Sequence, residues 1–297
     1  MRTVLGPFAP FPIRQWGRQL FGLPTAEQDV AARAAIMQAA VPYAIQITHH
    51  YLTCWIPGAP ASLRGIRILE LGPGRDFTPA LILAGYGADV TLADLYLERW
   101  DPHYHPAFYR AVRDEVRRSR PEWPLDALDE VIARGDHWAG PIRTLRRSLE
   151  RLSGIPDDSF DLTISNAVFE HLYDVPQALR ELYRVTRPGG IGIHQIDYRD
   201  HNNYSRPLEF LTLPRYKLGR DREATRRGNR FRHHEFADMF RSAGFEIAEL
   251  HPDAEADPEY LADVLPRLAP PYSAMSLGQL KPLGCRFHLS GQRKSPV

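Results

Sequence analysis

The strongest chemical signature in the chain is a short turn, Glu70-Leu71-Gly72-Pro73-Gly74, with an acid, Asp94, beyond it. An apolar run at 66–71 enters the turn, and a helical segment at 78–84 leaves it. Gly72 and Gly74 allow the backbone to approach a ligand where a Cβ would clash. Amides at the start of the following helix can receive a carboxylate. Asp94 closes the next apolar run and suits the two hydroxyls of a ribose. A dinucleotide fingerprint would need a third glycine at position 77, where Phe77 stands. The second set of residues is basic. His171 and His201 each follow an apolar run, and an imidazole there can take a proton from a reacting group. Asp197 and Asp200, in Asp197-Tyr198-Arg199-Asp200-His201, could orient His201 or hold a divalent ion. Their spacing matches no dedicated metal motif, so no metal is expected. His49, His50, His103 and His105 read as structural histidines.

Positioning these residues requires strands that end beside them. Apolar runs at 66–71, 90–93, 162–165 and 191–196 have strand length and end in turn residues. Between the last two, Asp174 can cap a helix whose Val175, Leu179, Leu182 and Val185 share a face. Further strands are expected at 245–250 and 285–289, after a helical stripe of Phe236, Met239, Phe240 and Ala243 that Gly244 would stop. Alternation of this kind predicts an α/β fold with a parallel sheet covered on both faces. Upstream, Thr25 and Gln28 could form a capping box before a helix at 27–40. Pro42 should reset the chain before a second helix at 43–55, and 57–60 should be a linker. The expected organisation is a helical cap over 1–64 and one domain over 65–297, with insertions near 98–140 and 200–232.

Composition narrows the function classes. Of 297 residues, 43% are hydrophobic and 25% charged, as in ordinary globular proteins. A net charge of +1 argues against nucleic acid as a partner recognised by overall basicity. The two cysteines supply neither a disulfide framework nor metal spacing, which points to a reducing compartment. Pro7, Pro10 and Pro12 interrupt any leader-like run, and no stretch reaches the ~20 apolar residues of a membrane span. A cytoplasmic enzyme without a membrane partner is expected. The basic run at 215–232 reads as a solvated face, although its arginines would suit an anionic acceptor.

Four blocks carry a family resemblance. They are Leu69-Glu70-Leu71-Gly72-Pro73-Gly74; Leu92-Ala93-Asp94-Leu95; Pro156 to Leu162 with Ser165-Asn166-Ala167-Val168-Phe169-Glu170-His171-Leu172; and Leu182 to Gly190. In order and spacing the chain resembles the class I S-adenosylmethionine-dependent methyltransferases, in the branch acting on small molecules and polysaccharide precursors. The resemblance implies a Rossmann-like, seven-stranded, mostly parallel sheet, with S-adenosyl-L-methionine as cofactor and S-adenosyl-L-homocysteine as product. By position, Glu70, Gly72, Pro73 and Gly74 would line the methionine end, and Asp94 with Leu95 the ribose. Ser148-Leu149-Glu150 would lie near the adenine, with Ser148 replacing the family's usual acid, and Asn166 would lie beside the cofactor. Asp76 also departs from a common third glycine. O-methylation of a small-molecule acceptor is the expected activity, with His171 and His201 as candidate bases. Methylation of a sugar in a polysaccharide precursor, or a non-catalytic cofactor-binding scaffold, are the competing readings.

Overall fold

The computed structural model describes residues 30–55, 62–138, 140–214 and 227–291. The expected capping box at 25–28, the linker at 57–60 and most of the basic run, 215–226, lie outside the described residues. Seven strands form a sheet in the order β3-β2-β1-β4-β5-β7-β6, which is the expected α/β architecture. The chain divides into two compact units after Arg147.

The first unit contains α1 (Val30–Trp55), β1 (Arg67–Leu71), α2 (Thr78–Gly85), β2 (Asp89–Asp94), α3 (His105–Ser119), α4 (Asp126–Arg134) and β3 (Arg143–Arg146). β1 pairs in parallel with β2, Ile68 opposite Val90, and β2 pairs in parallel with β3, Leu92 opposite Thr144. Four of the five β1 residues are buried, the mark of a strand covered on both faces. β3 carries no such mark. Its Arg-Thr-Leu-Arg sequence is only partly buried, as befits a sheet edge, and its composition gave no signal. Residues Thr78 to Leu83 of α2 are all buried, so this short helix is held by packing more than by propensity. The 98–140 segment forms α3 and α4, each amphipathic, burying Phe108, Tyr109, Val112 and Val116 from one and Leu128 and Val131 from the other.

One expectation needs correction here. α1 is a single helix that runs through Pro42, not two helices reset by it. Proline removes one hydrogen bond to the carbonyl four residues back. Both Pro42 and Gln38 are exposed, so the lost bond falls on the face that water reaches.

The second unit contains β4 (Phe160–Asn166), α5 (Val175–Val185), β5 (Thr186–Asp197), α6 (His233–Ala243), β6 (Phe245–Glu255), α7 (Pro258–Val264), α8 (Leu277–Leu280) and β7 (Pro282–Gly291). β4 and β5 are parallel, whereas β7 is antiparallel to both β5 and β6. Asp174 caps α5 by accepting the Gln177 N–H at 3.0 Å, an interaction worth about 1 kcal/mol. Gly244 ends α6 with φ +110°, a conformation that favours glycine. A secondary core forms where Leu208, Phe210 and Leu211 pack with Leu261, Val264, Tyr272 and Leu280. The 200–214 segment is therefore anchored, and its one regular piece is a 3-10 turn at Glu209–Thr212.

Candidate functional site

In the first unit the glycine turn has the backbone that its sequence implied. Gly72 and Gly74 take φ values of +61° and +75°, where a side chain would be strained. Glu70 is buried beside this turn, and its Oε2 has no hydrogen-bond partner. Burial, reinforced by the negative charge of Asp76, pushes its carboxyl up to about 8. Burial likewise raises Asp76 to about 6, against the hydrogen bond it accepts from the Thr78 N–H. A buried acid lacking a donor is a place where a cationic or donor group would be welcome. The ammonium group of a methionine is such a group. Asp94 ends β2 and accepts the Tyr96 N–H at 2.6 Å, which holds its carboxylate at the strand end. Burial raises its pKa, opposed by the Tyr96 and Leu95 amides. Leu95 and Tyr96 are themselves exposed.

The turn is supported by a network that sequence reasoning missed. His105, fully buried, accepts the Asp101 N–H at Nδ1 (2.7 Å) and donates from Nε2 to the Arg75 carbonyl (2.9 Å). Burial lowers its pKa to about 4, so it is neutral. His137, also fully buried, donates from Nε2 to the Glu98 carbonyl (3.1 Å), which leaves Nδ1 to accept the Tyr109 hydroxyl (3.1 Å). That hydroxyl oxygen accepts the Phe77 N–H at the start of α2. Arg75 lies over the Tyr104 ring and pairs with Asp101 at 3.0 Å. The 98–140 segment thus fixes the helix start that follows the glycine turn.

The second unit holds the remaining candidates. Ser148 donates to Glu150 Oε2 (2.7 Å), and Glu150 Oε1 accepts the Tyr173 and Asp174 N–H groups (2.9 and 3.1 Å). Glu150 is therefore committed to the loop before α5, while Leu149 is buried. Asn166 ends β4, and Ala167 follows with φ +55° and its N–H on the Gln195 side-chain carbonyl (3.1 Å).

His171 and His201, expected as separate candidates, are brought together with ring centroids 4.8 Å apart. His171 ends a 3-10 turn (Phe169–His171) and is half-buried, whereas His201 is buried. Asp197 Oδ2 lies 3.5 Å from His201 Nε2, and neither ring nitrogen of His201 has a hydrogen-bond partner. Burial opposes ionisation of Asp197, but the attraction of His201 and Arg199 outweighs it and holds the acid well below the carboxylate range. Arg199 grips it at 2.7 and 2.9 Å. Glu170 completes the cluster. Only 2% exposed, it accepts the Asp197 N–H weakly at Oε1 (3.3 Å), and its Oε2 has no hydrogen-bond partner. Burial, then the Asp197 charge, raises its pKa well above the ordinary value. Glu170 had been visible as part of a motif block but carried no role. An acid between Phe169 and His171 just past a buried strand was the available signal.

The described end of the basic run turns inward, so these arginines neither face solvent nor await an anion. Arg227 pairs with buried Asp200 at 2.5 Å. Arg230 donates to the Phe210 and Leu213 carbonyls (3.1 and 2.7 Å). Arg232 is fully buried and donates to the carbonyls of Tyr198 and Leu280 (both 2.9 Å) and of Pro282.

A methyltransferase-domain family model matches residues 123–193, the stretch that includes the third and fourth motif blocks. Over this stretch the sequence is similar to methyltransferase domains. Among curated proteins, a malonyl-[acyl-carrier protein] O-methyltransferase of Halorhodospira halophila is 31% identical over 132 residues, covering 44% of this chain and 35% of the relative. One of the same description from Serratia marcescens is 51% identical over 37 residues, 12% of this chain and 14% of the relative. The chain thus spans about a third or less of the curated relatives it matches. Among solved structures, phosphoethanolamine N-methyltransferase 2 of Haemonchus contortus, in complex with S-adenosyl-L-methionine, aligns with TM-score 0.47 and 15% identity over 84% of this chain and 53% of that one. No helix among the described residues is long and apolar enough to cross a membrane.

Proposed function

We propose that this methyltransferase transfers the methyl group of S-adenosylmethionine to an oxygen of a small-molecule acceptor. The observation that carries the reading is the paired His171 and His201, 4.8 Å apart with ionised Asp197 behind His201. A sulfonium is already a strong electrophile, so the protein must chiefly align the groups and exclude water. A hydroxyl acceptor must in addition lose its proton, and an imidazole held by a carboxylate suits that task. His171, the more accessible of the two, takes the proton, and His201 orients the acceptor. Glu70, Gly72, Pro73 and Gly74 hold the methionine end of the cofactor, Asp94 with Leu95 the ribose, and Leu149 and Asn166 the remainder. Ser148 and Glu150 act through the loop they brace. The partial likeness to a malonyl-[acyl-carrier protein] O-methyltransferase supports oxygen as the accepting atom.

Incubation with methyl-labelled cofactor and a fractionated metabolite extract, read by mass spectrometry, tests this. A labelled O-methyl product is expected. A product methylated on nitrogen or carbon would overturn the choice of atom. No product from any fraction, with cofactor binding intact, would favour a binding scaffold.

A further inference from the structure

The Glu170, His171 and His201 cluster has a second use that proton removal does not explain. An imidazole pair needs no third, buried acid to take a proton. Yet Glu170 stands beside the two histidines, and one potential ligand atom from each residue lies within 4.8 Å of the others. An ion with bonds of roughly 2.1 Å bridges ligand pairs up to about 4.2 Å apart, so small side-chain rotations close the set.

Two further observations point to a missing ligand. Glu170 and His201 are 2% and 5% exposed, yet Glu170 Oε2 and both ring nitrogens of His201 have no hydrogen-bond partner. Buried polar atoms left so are costly and call for an explanation. Asp197, meanwhile, stands beside Nε2 of His201 at 3.5 Å and is itself gripped by Arg199. Drawn in to hydrogen-bond distance, that carboxylate would leave the other nitrogen to coordinate and make it a better donor. Half-buried His171 leaves the cluster reachable from solvent.

We infer that Glu170, His171 and His201 form a binding site for one divalent transition-metal ion. Two imidazoles and one carboxylate suit zinc or ferrous iron, whereas magnesium and calcium prefer oxygen ligands throughout. Three protein ligands leave coordination positions open, and an oxygen acceptor bound there would lose its proton more readily. The inference does not rest on the proton-removal reading: with the ion bound the imidazoles coordinate, the ion rather than His171 would activate the oxygen, and binding is measurable without turnover.

The test uses the full chain, stripped with chelator, dialysed and titrated with Co2+ alone. Visible d–d absorption saturating at one ion per chain is expected, with Zn2+ displacing it. Glu170→Gln and His201→Gln should each weaken binding by at least tenfold. Asp197→Asn should weaken it roughly ten- to a hundredfold. His251→Ala should not change it, although His251 sits with Glu249 and is exposed. Thermal melting and S-adenosylmethionine titration report whether each variant is folded, and near-isosteric Glu170→Gln keeps the test sharp if His201→Gln is not. Three results would overturn the inference: no one-to-one absorption in the wild type, absorption that survives both cluster variants, or a thiolate charge-transfer band that places the ion at Cys54. Any of them would leave the histidines free for proton removal.

Discussion

Two histidine clusters in this molecule differ in how fully their hydrogen-bonding capacity is used. In the first unit, both ring nitrogens of His105 and of His137 have hydrogen-bond partners; His105 stacks on Trp100 and Tyr109, and His137 meets both rings edge-on. In the second unit, His201 is equally buried, yet neither ring nitrogen has a hydrogen-bond partner and the neighbouring Glu170 has an unpartnered oxygen. Burial alone does not mark function. On the proposed reading, the unspent hydrogen-bonding capacity of His201 and Glu170 is what marks them for work.

The sharpest way to break this contrast is to remove each kind of histidine. His171→Ala should lower kcat by a factor of ~10²–10⁴ with cofactor affinity intact, as loss of a general base does. His201→Ala should mainly raise the acceptor KM. Steady-state kinetics on the product found by mass spectrometry checks both, and the opposite pattern would exchange their roles. Arg232→Met should be the most damaging structural change, about 3–5 kcal/mol by urea unfolding. It strands the buried carbonyls of Tyr198, Leu280 and Pro282 at once. A loss under 1 kcal/mol would mean that the pocket relaxes around the vacancy.

Smaller effects sharpen the first-unit side. Asp94→Ala should weaken cofactor binding by roughly 1.5–3 kcal/mol, about ten- to a hundredfold, by calorimetry. Asp157→Ala should not, because Asp157 is an exposed partner of Arg184. Equal affinities would remove Asp94 from the ribose site. His137→Ala should cost about 1–3 kcal/mol of stability, since it leaves the Tyr109 hydroxyl and Glu98 carbonyl short of a partner. The gentlest effect is a slope. His105 has its folded pKa lowered from 6.5 to about 4, so the unfolded chain takes up the proton first on acidification. Its contribution to stability is complete above pH 6.5 and drains as pH falls towards 4, by ~1.4 kcal/mol per unit. His105→Gln should flatten the melting-temperature profile over that window. Glu70, raised from 4.5 to about 8, acts with the opposite sign, so cofactor-free protein should lose its contribution as pH rises through that range.

Much of this was legible in the chain because it depends on neighbours in sequence. Runs of apolar residues ending in turn residues located six strands, and Asp174 and Gly244 marked helix ends through local bonding. The glycine turn and Asp94 were legible for the same reason. β3 was not, since an edge strand need not be apolar. Pro42 misled because a helix with one face in water tolerates a missing bond there. The approach of His171 to His201, the inward turn of Arg230 and Arg232, and the pairing of His137 with Tyr109 all join residues distant in sequence. Only the folded chain brings them together, and residue type alone does not say which arginine is a tether and which is bait.

Arg232 also bears on how the second unit comes apart. It sits at the start of α6 and reaches backbone just after β5 and just before β7, so its bonds exist only once three distant segments have met. Contacts of such long sequence separation form late, after loop closure has been paid in entropy. Its loss should therefore show more in the unfolding rate than in the folding rate. Native-state hydrogen exchange should find the ends of β5, β7 and α6 opening as one cooperative unit, and opening separately once this residue is replaced.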